Sequence, residues 1–352
     1  MSAPTPPVPS SAGASMESQL AAYRDLVLPI MTGTVPGREP RQYLYDLIAA
    51  YLSRGGKGIR PALCIATCRA FGGTTEKALP SAAALELLHN AFLVHDDIED
   101  GSEYRRDRPT LHRQVGIPLA VNAGDAMNAM SLRVLKQNLR LLGPELTWRI
   151  FDEFDHMMIE TIEGQAMELG WIRDNDCRIT EDDYLLLVLK KTCWYSFIHP
   201  CRIGALISER DDLDIEGFNR FGYYLGTAFQ IQDDVLNLVG ERGKYGKEIG
   251  GDILEGKRTL MLAHVLKSCA EPERDRLKAF FAKPRARRLP REVLWVFQLM
   301  RDRGSLEYAR RVARDFAAVA VTEFDRLYGS APPGPDTDFL RSLVDHMVAR
   351  DA

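Results

Sequence analysis

Cysteine is sparse in this chain, with six residues among 352. Only Cys64 and Cys68 fall one helical turn apart, and no His or Cys pair stands near them to complete a zinc pattern. That excludes a disulfide scaffold and a zinc module, and fits reduced thiols in the cytoplasm. No apolar run approaches the ~18 residues of a membrane span. An excess of one charge is missing as well. The formal net charge is -4, which gives no general footprint for nucleic acid, so any phosphate site must be local. Period-two segments bounded by turn dipeptides are absent, and no sheet is expected. There is no G-x-G-x-x-G, G-x-S-x-G or H-E-x-x-H. Gly251 to Lys257 spells G-x-x-x-x-G-K, but Arg258 stands where Ser or Thr would hold magnesium. Asp252 and Glu255 would also repel phosphate there.

What is present reads as helix nearly throughout. The opening "MSAPTPPVPSSAGAS" is rich in Pro, Ser and Ala, with neither a basic start nor an apolar segment. It is expected to be a disordered leader over 1–16, followed by a single domain over 17–352. Helices are predicted to start near Glu17, Arg41, Gly58, Ser81, Pro118, Pro144, Thr180, Pro200 and Leu213, with several more after Leu254. Pro and Gly sit at the seams, and many segments exceed the mean helix length. The expectation is an all-α protein, a large helical bundle around a central cavity.

The stretch "LELLHNAFLVHDDIED" starts apolar and ends in concentrated acid. At 100° per residue His89, Leu93, Asp96 and Asp100 share a face, and the two carboxylates project side by side. Acids at a helix C-terminus oppose the macrodipole, at a cost of about 0.3–1 kcal/mol each. Stability alone would not select them. Clustered hard oxygen ligands suit magnesium, above all an ion that also binds phosphate oxygens. One such motif would read as a solvated face, but "FQIQDDVLNL" repeats the pattern with Asp233 and Asp234 inside a second apolar run. Gln230 lies one turn before. Asn237, four after Asp233, offers a carbonyl oxygen without charge, which makes this the weaker metal site.

Cations to match occur in groups. "GGKGIRP" sets two glycines before a helix start, where backbone N–H groups can approach an anion and Lys57 and Arg60 can bracket a diphosphate. Arg105 and Arg106 follow the first acidic cluster, and Arg forks suit bidentate phosphate contacts. Lys191 precedes Thr192 in "KKTCWYSF"; Lys247 and Lys257 follow the second cluster in "GKEIGGDILEGKRT".

Together, "GGKGIRP", "LLHNAFLVHDDIED" with "RRDRPTLH", "GQAMEL", "KKT" and "FQIQDDVLNL" with "GKEIGGDILEGKRT" resemble the trans-isoprenyl diphosphate synthases, the polyprenyl synthetase family, in that family's order. The resemblance covers nearly the whole chain after the leader and looks most like the geranylgeranyl diphosphate synthases. It implies the all-α isoprenoid synthase fold, a homodimer, and two Asp-rich motifs facing across a deep pocket. It also implies Mg2+ as cofactor, with isopentenyl diphosphate and an allylic diphosphate as substrates. By the resemblance, Asp96 and Asp100 are the principal magnesium ligands of the first motif, with Asp97 beside them, and Asp233, supported by Asp234, serves the second. Lys57, Arg60, His89 and Arg106 correspond to the isopentenyl diphosphate site. Arg105, Lys191, Thr192, Gln230, Lys247 and Lys257 correspond to the allylic site.

Three positions depart from the family pattern: Gly58 and Asp107 near the basic groups, and Asn237, where the last Asp of the second motif would stand. The last leaves the number of bound ions open. Product length is expected to depend on Ala91 and Phe92, just before the first motif. Small Ala91 suggests growth beyond fifteen carbons, to about twenty by the family's rule, whereas Phe92 argues against very long products. Farnesyl diphosphate remains the shorter alternative, and Ala91→Phe is expected to shorten the product. A terpene cyclase would share the fold, but its N-D-x-x-S-x-x-x-E motif is not in the sequence. A non-catalytic partner subunit commonly loses acids or the Arg pair, and here Asp96, Asp100, Arg105 and Arg106 all persist.

Overall fold

A computed structural model of the chain describes residues 15–239 and 250–348. Ser15 caps α1 (Met16–Thr34), its Oγ accepting the Ser18 N–H at 3.2 Å. The first fourteen residues of the expected leader lie outside the described residues, as does Lys247. A short π-helical turn, Arg41–Tyr45, leads into α2 (Asp46–Leu52), followed by α3 (Ile59–Ala70) and α4 (Thr75–Glu99). Helix α4 begins well before the expected Ser81. Thr74 accepts the Lys77 N–H, Glu76 sits favourably in the first turn, and the helix runs through Pro80, just ahead of that expected start.

The expectation of no strands needs one correction. Tyr104–Arg105 (β1) and Arg108–Pro109 (β2) form a two-residue antiparallel hairpin. Its loop residues Arg106 and Asp107 both have positive φ, 54° and 58°. A two-residue loop of this kind favours Asp, Asn or Gly, which accounts for Asp107. Helices α5 (Leu111–Val115), α6 (Ile117–Leu135), α7 (Asn138–Leu141) and α8 (Gly143–Arg173) come next. Then α9 (Glu181–Val188) passes without a break through a π-helical segment, Leu189–Ile198, into α10 (His199–Ile207). The remainder is α11 (Gly217–Val239), α12 (Gly251–Glu255), α13 (Leu260–Ser268), α14 (Glu271–Phe281), α15 (Pro290–Asp302), α16 (Ser305–Tyr328) and α17 (Pro335–Val348).

Two apolar cores hold these helices. One gathers α1 to α6 with α17, and the other gathers α13 to α16 around the C-terminal half of α11. Helix α11 belongs to both: Phe218, Phe221 and Leu225 enter the first, while Ile231, Val235 and Leu238 enter the second. Helix α4 packs along α6 and α11 along α16. Residues Ala82 to Leu88 of α4, Glu86 among them, are buried without interruption, so this stretch of the helix is enclosed on every side. Both acidic motifs therefore ride on central helices, which puts their carboxylates inside the molecule.

Candidate functional site

Carboxylates from α4 and α11 face one cavity of about 1350 Å³, lined among others by Asp96, Asp233 and Asp234. Lys57, Arg60, Arg105, Arg106, Lys191 and Lys257 line it as well, with His89, Thr192, Gln230 and Phe92. The residues expected to form the site are thus brought together, except Lys247, which is outside the described residues, and Asp97, Asp100 and Ala91, which sit behind the wall.

Each acid of the first motif meets a cation. Arg105 Nη2 donates to Asp96 Oδ2 at 3.0 Å and its Nε to Asp97 Oδ1 at 2.6 Å. Asp97, expected beside Asp96 as a metal ligand, is 1% exposed behind the cavity wall, where its Oδ1 holds Arg105 from below. Lys191 Nζ lies 3.3 Å from Asp96 Oδ1 and also pairs with Glu168. Burial works against the Lys191 ammonium, but Glu168 and Asp96 outweigh it and keep it charged. Lys257 Nζ lies 3.0 Å from Asp100 Oδ2 and 3.1 Å from Glu255 Oε2. Burial pushes Asp100 up to about 7, and Lys257 only partly offsets this. The carbonyl of Asp100, at the end of α4, accepts Arg285 Nη1 at 2.8 Å, which relieves the clash between acids and helix dipole.

The second motif is braced differently. Tyr184 Oη donates to Asp234 Oδ2 and Gln230 Nε2 to Asp234 Oδ1, each at 2.8 Å, while Thr192 Oγ1 donates to Gln230 Oε1 at 2.9 Å. Burial raises Asp234 to about 6 against these donors. Asp233 beside it also faces the cavity. Asn237 does not: it is 2% exposed, and its Oδ1 accepts the backbone N–H of Asp252 at 3.1 Å.

The basic wall is built by close approach. Arg106 lies so near Gly56 that a Cβ there would meet its Nη2 at 2.6 Å. Gly58 has φ +69°, and a Cβ on it would meet Arg24 Cβ at 2.8 Å, so the backbone here has no room for a side chain. The Arg60 guanidinium sits 4.1 Å over the Tyr195 ring and donates to Ser196 Oγ at 2.7 Å. Burial, then the charges of Arg60 and Arg106, hold His89 well below the ordinary histidine range, leaving it neutral beside them.

Phe92 lines the cavity with its ring edge-on to Tyr195, centroids 5.7 Å apart. Ala91 is 1% exposed between packed helices, so of the two expected length-setting residues only Phe92 meets the cavity.

Sequence reasoning missed Glu168, Tyr184, Asp252 and Glu255. Glu168 was signalled by "GQAMEL": Gly164 and Glu168 are four apart on one face of α8. A Cβ on Gly164 would lie 2.5 Å from the Lys191 backbone N. Asp252 and Glu255 were visible only as residues hostile to phosphate, whereas their carboxylates face Lys257, at 3.9 and 3.1 Å. Among the described residues no three His, Cys, Asp or Glu side chains converge on one point ready to hold an ion. The donor set is nonetheless all hard oxygen, on two helices facing one cavity, and it already draws ammonium groups to Asp96 and Asp100. A divalent, oxygen-seeking cation fits it.

Comparison with known proteins agrees with this geometry. The Polyprenyl synthetase family profile matches residues 41–297. The chain is 34% identical to the geranylgeranyl diphosphate synthase of Sulfolobus acidocaldarius, over 92% of this chain and 94% of that protein. Its fold matches the crystal structure of geranylgeranyl pyrophosphate synthetase from Pyrococcus horikoshii with a TM-score of 0.82. The sequences there are 30% identical, and the match covers 94% of this chain and 98% of that one. The polyprenyl synthase of Caulobacter crescentus, solved with calcium and isoprenyl diphosphate, matches with a TM-score of 0.83 at 25% identity, covering 96% of this chain and 97% of that one.

Proposed function

This chain belongs to the polyprenyl synthetase family, and we propose that it condenses isopentenyl diphosphate with an allylic diphosphate to give geranylgeranyl diphosphate. The observation that carries this reading is one cavity that joins carboxylates of α4 and α11 to Lys57, Arg60, Arg105, Arg106, Lys191 and Lys257, from four separate stretches of chain. The named relatives support the product.

The allylic C–O bond breaks heterolytically, and the electron pair leaves with diphosphate. Arg105, Lys191 and Lys257, fixed by Asp96, Asp97, Glu168 and Glu255, meet the charge that develops on that leaving group. Asp96 and Asp233 at the cavity wall, with Asp100 one turn behind Asp96, would hold magnesium, which when bound would supply further neutralisation of the diphosphate. The oxygens of Thr192 and Gln230 face the allylic cation as fixed dipoles and do not trap it. Lys57, Arg60 and Arg106 anchor isopentenyl diphosphate with its double bond at attacking distance, and neutral His89 adds a hydrogen bond without adding charge. A new C–C bond forms, a proton leaves the adjacent carbon to departing diphosphate, and the chain is five carbons longer. Incubation with isopentenyl diphosphate and each allylic primer, with and without Mg2+, tests this by chromatographic sizing. Elongation must need both substrates and the metal. Product from an allylic diphosphate alone would overturn it.

We also propose that the chain works as a homodimer in the cytoplasm. Exposed Val121 on α6 and Trp148, Ile159 and Ile162 on α8 offer an apolar face to a second copy. All six cysteines are free thiols, as a reducing compartment requires. No described helix is long and apolar enough to cross a membrane. Light scattering at the mass of one chain would remove the dimer.

A further inference from the structure

Asn237 occupies the position where a third acid of the second motif would stand, and its side chain is turned away from the cavity into a different task. Its carbonyl accepts the Gly250 N–H at 2.8 Å and its Oδ1 accepts the Asp252 N–H at 3.1 Å. One residue thereby takes hold of the backbone at both sides of the start of α12. The first N–H groups of a helix lack partners within it, and an oxygen from elsewhere that accepts one fixes the helix in place. The consequence appears at the next side chain: Asp252 lines the same cavity as Asp233 and Asp234. Its carboxylate lies 3.9 Å from Lys257 Nζ, which lies 3.0 Å from Asp100 Oδ2. A single ammonium group therefore spans Asp100 on the first acidic helix and Asp252 on the far side. The carbonyl of Asp252 also accepts the N–H groups of Gly256 and Lys257, each at 2.9 Å, so the carboxylate and Lys257 move as one unit.

We propose that Asp252 supplies the oxygen ligand that residue 237 does not, and that Asn237 is the positioning residue that delivers it. This rests on the magnesium-dependent reading above. Charge explains the exchange. An Asp at 237 could accept the same N–H, but it would set another carboxylate against Asp234 and Asp252 in a buried place. Asn accepts the bond with no charge and leaves the acid to Asp252. The second acidic wall then presents a third carboxylate to the cavity although its helix motif is one acid short.

The test is Mn2+ binding, followed by electron paramagnetic resonance in the presence of inorganic diphosphate, for wild type, Asp252→Asn, Asn237→Ala and the double variant. Asp252→Asn should weaken Mn2+ binding about 10–100-fold, as the loss of a ligand or its support does. Asn237→Ala should weaken it by about tenfold alone and by less than twofold in the Asp252→Asn background, because it acts only through Asp252. Asn237→Ser, whose hydroxyl is too short to reach, should match Asn237→Ala and stands in for it if the alanine variant does not fold. Unchanged Mn2+ binding in Asp252→Asn, or additive losses in the double variant, would overturn the proposal. Wild-type protein that binds Mn2+ with diphosphate yet elongates no primer would instead overturn the functional reading.

Discussion

Gly164 offers a direct check on the claim that Lys191 is held in register by packing. A Cβ built on Gly164 would stand 2.5 Å from the Lys191 N, 2.8 Å from its Cα and 2.9 Å from its Cβ. Those neighbours are mostly backbone in the π-helical segment and cannot rotate aside. To reach ordinary contact, α8 and that segment must part by about 1 Å. Overpacking of this kind costs about 1–3 kcal/mol. Replacing Gly with Ala inside a helix returns about 1 kcal/mol, so the net destabilisation should be no more than about 2 kcal/mol. Function should suffer more. Lys191 reaches Asp96 and Glu168 from that segment, and a ~1 Å misplacement at a reacting centre can cost about 100-fold in rate. Gly164→Ala should therefore lower kcat for prenyl transfer by about 10–100-fold while thermal unfolding changes little. Gly170→Ala on the same helix is the control, since a Cβ there meets nothing within 4 Å. Wild-type turnover in Gly164→Ala, or an equal loss in Gly170→Ala, would refute the packing argument.

Four further outcomes follow from the same geometry. Phe92→Ala should lengthen the product on chromatographic sizing, because the ring stands in the cavity. Ala91→Phe should chiefly destabilise the fold, by about 1–3 kcal/mol in urea unfolding, because that position is packed between helices. Asp97→Asn should cut turnover about tenfold or more yet leave Mn2+ affinity within about threefold, while Asp96→Asn weakens both. Equal metal loss in the two variants would return Asp97 to the ligand set. Glu153 accepts Arg202 Nε at 2.6 Å and pairs with His199 at 2.7 Å. Burial pushes its carboxyl up, but these hydrogen bonds and charges outweigh it and bring it from 4.5 to about 2. A depressed carboxylate stabilises the fold fully above its ordinary value and loses that contribution as pH falls through its folded one. The loss, on the order of 3 kcal/mol, should fall between about pH 5 and pH 2. Urea unfolding across that range should be flatter for Glu153→Gln, and identical slopes would remove Glu153 from the acid limb.

Which parts of this site were legible in the sequence follows from what periodicity can carry. Acids clustered towards the ends of apolar helices were readable because a buried helix carries them into the interior; Asp96, Asp233 and Asp234 line the cavity, while Asp100 lies behind its wall. The basic groups were readable by the same logic of opposite charge. Helical spacing assigns a face to a residue but not the neighbour that face meets. Asp96 and Asp97 look alike in sequence, and only the hairpin that carries Arg105 back over them separates a cavity acid from one committed to holding Arg105. The π-helical segment turns more widely than the 3.6-residue period used to find helices, so that period does not reveal it, and it is this segment that carries Lys191 and Thr192. Asn237 is the strongest case. Its substitution reads as a lost ligand, because the sequence shows a missing charge but not the N–H of Asp252 that the amide oxygen accepts. Charge patterns therefore identify the chemistry of such a site, whereas the neutral residues that deliver the charges, Gly56, Gly164 and Asn237, become readable only once the helices are packed.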